Sequence, residues 1–159
     1  MITYLKGDAT DPKTNGAKII AHINNDMGGW GKGFVLALSK KWKDPEIEYR
    51  NWYRTKINFA QGNVGYVKVR GDILVANMIA QQGYGDKNDP PIRYEALRKC
   101  LYDVCKIAKE NEASVHMPRI GCGLAGGKWE IIEPMIEEVF ANDVDVYIYD
   151  YEIKNAEIK

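Results

Sequence analysis

The sequence predicts an α/β fold, a sheet with parallel strand pairs covered by helices on both faces. Three observations carry that prediction. Short apolar, β-branched stretches alternate along the chain with longer stretches in helical spacing, the pattern of strands joined through helices. Two glycine-rich segments each follow a strand-like stretch and precede a helix-like one. One further pair of strand-like stretches is separated only by Arg70-Gly71-Asp72, the mark of a hairpin.

The elements follow in order. Ile2 to Lys6 alternates apolar and polar side chains and stops at Gly7-Asp8-Ala9-Thr10, with Asp11-Pro12 as a turn signal. Lys18-Ile19-Ile20-Ala21-His22-Ile23 reads as a buried strand, and Asn24 to Gly33 as the polar, glycine-rich loop after it. Phe34 to about Trp42 has helical spacing. Asp44-Pro45-Glu46 reads as an N-cap with proline at N1, opening a helix whose aromatic face, Tyr49, Trp52 and Tyr53, is core and which ends before Gly62. Residues 64–69 and 73–79 form the hairpin, and residues 81–91, rich in Gly, Asp and Pro, read as a mobile surface loop. The longest helix runs from Arg93 to Asn111 on Leu97, Leu101, Val104, Ile107 and Ala108. A short strand, 114–117, leads into the second glycine segment, 118–129; a helix from about Glu130 to Asn142 and a strand from Val144 to Tyr149 complete the pattern, with a charged end from Lys154.

At 159 residues, 45% hydrophobic and 28% charged, the chain reads as a single globular domain over 1–159 with its core in about 2–151. Its formal net charge of zero gives no electrostatic case for a nucleic-acid or membrane-surface partner. Three cysteines without CxxC spacing, Cys100, Cys105 and Cys122, favour neither a disulfide framework nor a zinc site. The N-terminus has a strand pattern rather than that of a signal peptide, and the expected setting is the cytoplasm. No metal-binding cluster is visible, so the expectation is a site without metal or cofactor.

The chemistry concentrates at predicted strand ends, where open α/β sheets bind ligands. Gly7-Asp8, Asn24 to Gly33, Gly121 to Gly127 and Asp150-Tyr151 all fall there. The spacing matches neither GxxxxGK[ST] nor a GxGxxG after the first strand, so neither a triphosphate loop nor a Rossmann fingerprint is present. What remains is two backbone-amide cradles suited to gripping one pyrophosphate from two sides. On that reading Gly29, Trp30, Gly31, Lys32 and Gly33 bind from one loop, and Ile120, Gly121, Cys122, Gly123, Leu124 and Ala125 from the other. Gly7, Asp8 and Ala9 lie at the base end, where Asp8 could accept from an exocyclic amine; Tyr149 or Tyr151 could stack on the base, with core or surface packing the alternative that either tyrosine favours by itself. The polar triplet Asn24, Asn25 and Asp26 meets whatever lies next to the phosphates.

The same residues resemble a known family. Gly7-Asp8-Ala9-Thr10, the loop from Asn25 to Gly33, and especially Met117-Pro118-Arg119-Ile120-Gly121-Cys122-Gly123-Leu124 followed by Trp129 resemble the macrodomains, which are ADP-ribose-binding modules. The resemblance runs from Ile2 to about Tyr151 and is nearest the branch holding the terminal ADP-ribose protein glycohydrolase and the yeast ADP-ribose-1″-phosphate phosphatase. It implies a three-layer α/β/α sandwich around a mixed, mostly parallel sheet of about six strands. It also implies that Asp8 recognises adenine and that Asn25 lies near the distal ribose, with ADP-ribose, a derivative of it or an ADP-ribosylated protein as partner.

Two departures limit how much chemistry that resemblance carries. Where the glycohydrolase branch has a nucleophilic lysine this chain has Gln81, and where it has an assisting acid this chain has Ala125. An amide and a methyl group replace neither an amine nucleophile nor a proton carrier, so that covalent route is not expected. Hydrolysis of an ADP-ribose-1″-phosphate or of an ester at the distal ribose would instead draw on Asn25, Asp26 and His22, with loop amides stabilising developing charge. Each has a structural alternative: Asp26 as a turn cap, His22 as a wall residue, Cys122 as packing, Lys32 as a solvated loop lysine, and Trp30 as either a lid over the ligand or a prop beneath the loop. Arg119 is expected to pair with an acid and hold the second loop. The competing function is a binding module that recognises ADP-ribose without turning it over.

Overall fold

The computed structural model describes residues 1–85, 88–123 and 125–151. The strands are β1 (Ile2–Lys6), β2 (Lys18–Asn25), β3 (Val64–Arg70), β4 (Ile73–Gln81), β5 (Ser114–Pro118) and β6 (Val146–Asp150). The helices are α1 (Phe34–Lys41), α2 (Asp44–Thr55), α3 (Tyr94–Asn111) and α4 (Trp129–Phe140). They form one sheet in the order β1-β6-β5-β2-β4-β3. Every neighbouring pair is parallel except the β3–β4 hairpin. The expected mixed, mostly parallel sheet of six strands is what forms.

Helices cover both faces because the central strands are apolar on both, the condition that separates a parallel sheet from a half-solvated one. Ile19 and Ala21 of β2 face the larger core, with Leu97, Leu101 and Val104 of α3 and Ile132, Ile136 and Phe140 of α4. Ile20 of the same strand faces the smaller core, with Val35 and Leu38 of α1 and Tyr49 of α2. Alternation along β2 thus sets which residues look toward which helix layer.

Three local differences from the sequence reading matter for the site. Strand β2 runs two residues further than the apolar run, taking in Asn24 and Asn25, with a register shift between them. Helix α2 begins one residue earlier than its turn chemistry suggests: Lys43 is the N-cap and Asp44 and Pro45 open the first turn. The segment after β4, expected to be mobile, is fastened: Gln82 N donates to Pro91 O at 2.8 Å, Arg93 N to Ala80 O at 2.9 Å and Gly83 N to Asp26 Oδ1 at 2.7 Å.

Beneath β5 and β6 lies a buried polar chain. His116 Nδ1 meets the Tyr149 hydroxyl at 2.7 Å, its Nε2 meets Ser114 Oγ at 2.8 Å, and its ring stacks on Tyr147. These bonds satisfy groups that burial would otherwise leave costly. Leu101→Ala, at a fully buried position of α3, is expected to lower unfolding free energy by about 2–5 kcal/mol in a denaturant titration while leaving the slope of the transition unchanged.

Candidate functional site

At the carboxyl ends of the parallel strands a cavity of about 650 Å³ opens between the two glycine segments. Its wall includes Asn25, Gly29, Trp30, Gly31, Lys32 and Gly33 from one side and Ile120, Gly121, Gly123 and Ala125 from the other. The two loops therefore share one groove.

The first loop is built by the partition of its own N–H groups. Asn25 Oδ1 accepts from Met27 N at 2.8 Å and Gly29 N at 3.1 Å, and Asn25 Nδ2 donates to Gly29 O at 3.0 Å. Gly28 N donates to the Tyr49 hydroxyl at 3.1 Å, and that hydroxyl donates to Asn25 O at 2.6 Å. Burial pushes the Tyr49 phenol well above its ordinary range, so it stays a donor. The next amides, Trp30 to Gly33, have no protein acceptor among the described residues, and α1 begins directly after them, with Gly33 at φ +84° as its N-cap. Unpaired amides at a helix N-terminus attract an anion.

The second loop is shaped by a close approach. Gly127 N donates to Gly121 O at 2.6 Å, and a Cβ on Gly121, whose φ is +75°, would run into the Ile92 side chain. Arg119 holds the loop to the sheet through a bidentate pair with Asp150, at 2.5 and 2.9 Å, as the sequence suggests. Its guanidinium also lies 5.1 Å from the ring centres of Tyr4 and Trp129. The amides of Gly121 and Gly123 have no protein acceptor among the described residues.

Several expected residues stand elsewhere. Asp26 does not line the cavity; its carboxylate accepts from Gly83 N at 2.7 Å and Gln61 Nε2 at 3.1 Å and ties the first loop to the segment after β4. Trp30 is 3% exposed, with its Nε1 donating to Ser39 Oγ at 2.7 Å, so it props the loop rather than covering a ligand. Tyr149 is buried with its hydroxyl bonded to His116, which corrects the expectation that it stacks on a base. Tyr151 is 73% exposed and, like Tyr149, is absent from the cavity wall. Cys122 is half-buried against the larger core, and burial raises its thiol pKa, which fits packing better than ligand contact. Gly7, Asp8 and Ala9 follow β1 at the same end of the sheet but outside the cavity lining; the Thr10 amide and hydroxyl both donate to Asp8 Oδ1, and Oδ2 accepts from neither. Leu124 lies outside the described residues.

His22 does face the cavity. Its Nε2 contacts Asn77 Oδ1 at 2.5 Å, and Asn77 Nδ2 donates to Pro45 O at 3.1 Å, which fixes that oxygen toward the ring. The proton therefore sits on Nε2 and Nδ1 is a bare acceptor. Burial pushes its pKa down to about 4, leaving the imidazole neutral at pH 7. Tyr84 was not anticipated from sequence: it lines the cavity and stands over Gly29 so closely that a side chain there would strike its ring. Gln81 lines the wall too, its Nε2 donating to Gly83 O at 3.0 Å. No group of described residues could hold a metal ion, and no described helix is long and apolar enough to cross a membrane.

A second cavity, about 610 Å³, lies at the amino ends of the strands. Glu112, Asp143 and Asp145 line it with one cation, Lys109, which lies 3.8 Å from Asp143, beside the C-terminal turn of α3, a net acidic arrangement that disfavours anions.

A three-layer α/β/α sheet with two unpaired amide cradles over one groove defines an anion-binding module of the nucleotide-handling class. Comparison narrows that class. The chain is 32% identical over 151 residues to ADP-ribose glycohydrolase OARD1 of Homo sapiens, covering 93% of this chain and 90% of that protein. It superposes on the macrodomain protein from Streptomyces coelicolor with a TM-score of 0.85 and 48% identity, over 96% of this chain and 100% of that one. It is 25% identical to ADP-ribose 1″-phosphate phosphatase of Candida albicans over 93% and 99% of the two chains. It also matches Chromodomain-helicase-DNA-binding protein 1-like of Danio rerio at 33% identity over 88% of this chain, but spans only 14% of that protein's length. No family model matches. The chain belongs to the macrodomain family.

Two outcomes test this geometry. Both buried histidines, His22 and His116, are pushed down to about 4 by burial. The unfolded chain protonates them near 6.5 and the native state does not, so the stability they contribute is fully present above about pH 6.5 and is lost as pH falls toward 4. Unfolding free energies from urea titrations should fall, as pH is lowered across that window, by up to about 1.4 kcal/mol per pH unit for each imidazole. Tyr49→Phe should leave Gly28 N without its acceptor, lower stability by about 1–3 kcal/mol, and raise exchange rates of the loop amides in hydrogen-exchange measurements.

Proposed function

We propose that the chain binds ADP-ribose across the two amide cradles and hydrolyses a derivative of it, an ADP-ribose-1″-phosphate or an ester at the distal ribose. The observation that carries the binding half is the shared groove, lined by Gly29 to Gly33 from one loop and by Gly121 and Gly123 from the other, where the amides of Trp30 to Gly33, Gly121 and Gly123 have no protein acceptor among the described residues. Such amides hold a diphosphate without requiring net positive charge. Asn25 presents the end of β2 to the sugar beyond the diphosphate, and Asp8 Oδ2 serves the adenine. The hydrolytic half is supported by the names of the relatives, a glycohydrolase and a phosphatase.

The route uses water rather than a protein nucleophile. Gln81 and Ala125 supply neither a lysine nor an acid, and Asp26 is spent on Gly83 and Gln61. His22, a residue of the cavity wall, is held neutral with its proton on Nε2, and the amides of the second loop would stabilise developing negative charge. In this reading residues 1–159 act as one domain in the cytoplasm, with ADP-ribosylated protein as a candidate partner.

A second reading, a module that binds without turnover, is favoured by one observation: no carboxylate lines the cavity among the described residues. Calorimetry with ADP-ribose, ADP and AMP is expected to rank them in that order, and equal affinity for all three would remove the distal-ribose role. Turnover assays on ADP-ribose-1″-phosphate and on ester-linked ADP-ribosyl protein separate the two readings; background rates on both substrates, with ADP-ribose still bound, leave only the binding module.

A further inference from the structure

The segment after β4 holds the first glycine loop at two neighbouring points. At one, Asp26 Oδ1 accepts from Gly83 N at 2.7 Å, while Asp26 Oδ2 accepts from Gln61 Nε2 at 3.1 Å and the Gly83 carbonyl accepts from Gln81 Nε2 at 3.0 Å. At the other, Tyr84 lays its phenol on Gly29: a Cβ on that glycine would stand 2.9 Å from Tyr84 Cε1 and would strike the hydroxyl. The Asn25 amide lies 3.0 Å from the same position. A Cβ on Gly31 would meet nothing within 4 Å, so Tyr84 bears on the Asn25 side of the loop and leaves Gly31 clear.

Tyr84 lines the cavity and is also 59% exposed, which places it at the mouth. Its neighbours on both sides are glycines in the left-handed region, Gly83 at φ +55° and Gly85 at φ +59°, so the bend that aims the ring is one that side chains rarely adopt. Gly29 has no positive φ, and a side chain there is opposed by Tyr84 and the Asn25 amide rather than by the backbone. The ring is thus free on one side, hinged at both ends and anchored through Gly83. We infer that Tyr84 is a latch: it covers the sugar end of the groove, swings aside to admit a ligand and closes over it, and Asp26 is the positioning residue that sets it through Gly83 N. This rests on the reading of the cavity as an ADP-ribose site. It adds a residue that discriminates between nucleotides sharing the diphosphate, and it gives the Asp26 carboxylate a function without proton transfer.

A latch and a simple contact differ in their rates. Losing a contact made only in the complex raises the dissociation rate alone, whereas losing a latch already closed in the free protein raises association and dissociation together. In stopped-flow binding, Tyr84→Ala is expected to raise both rates for ADP-ribose by about fivefold or more, and to change both rates for ADP by less than about twofold. Being an exposed substitution, it should shift the melting temperature little. Asp26→Ala should reproduce that pattern, and Asp26→Asn, whose amide oxygen still accepts from Gly83 N, should return the rates toward wild type. Gly29→Ala, whose methyl group displaces the phenol, should also speed both rates, and should add less than about twofold when Tyr84→Ala is already present. If Asp26→Ala does not fold, Tyr84→Ala and Gly29→Ala carry the same test. Faster dissociation alone, unchanged rates, or equal changes for ADP-ribose and ADP overturn the latch, and Asp26→Asn rates matching those of Asp26→Ala overturn the positioning role. Wild-type protein that binds no ADP-ribose refutes the parent reading, whereas wild-type binding with rates that Tyr84→Ala leaves intact refutes the latch alone.

Discussion

Every backbone N–H needs an acceptor, and the first glycine loop depends on how that requirement is shared out. The Asn25 amide and the Tyr49 hydroxyl absorb the N–H groups of Met27, Gly28 and Gly29. With those three satisfied inside the protein, the following amides, Trp30 to Gly33, belong to residues of the cavity wall and have no protein acceptor among the described residues. An anion-binding loop is thus made by completing one set of hydrogen bonds so that another set stays open. Tyr49 can do this because α2 carries it into the smaller core, against Trp30 and Phe59, where its ring has no room to leave.

The second loop obeys a different constraint, that of space. Gly121 sits against Ile92, Ile132 and Ile23, side chains from three separate parts of the fold. A Cβ there would have to push aside the terminal methyl of Ile92, and the positive φ disfavours most residues independently. Arg119 then holds the loop from outside, clamped by Asp150 at the end of β6 and bracketed by Tyr4 of β1 and Trp129 of α4. A segment with little side-chain bulk of its own takes its shape from neighbours on both sides of the sheet.

The architecture was legible in the sequence because hydrophobic period and turn residues speak for local structure, and both glycine segments were found by the same signals. The misplaced residues share a cause: their roles depend on partners far along the chain. Asp26 looks like a free carboxylate until Gln61 and Gly83 arrive. Tyr149 looks like a stacking residue until His116 takes its hydroxyl. Tyr84 lay in a stretch whose Gly and Pro content signals mobility, and composition cannot show that Asp26 anchors it. The end of β2 was misjudged because Asn24 and Asn25 are poor strand formers held in place by pairing with Ile79 and Gln81.

Composition also concealed the electrostatics of the site. The chain carries no net charge, yet the charged residues on the described cavity wall are Lys32 and Arg119, both cationic. Acidic residues gather at the opposite end of the sheet, around the second cavity, beside the negative end of α3. Charge and helix dipole therefore separate along the strand axis, with the start of α1 facing the first cavity and the end of α3 the second. Arg119 is already paired with Asp150, which dilutes its pull and leaves the backbone amides as the main source of positive potential in the groove. Because amides cannot be titrated away, an anion site built from them keeps its character over a pH range in which a histidine-based site would change. His22, held neutral by burial, adds a hydrogen-bond acceptor to that setting without adding charge.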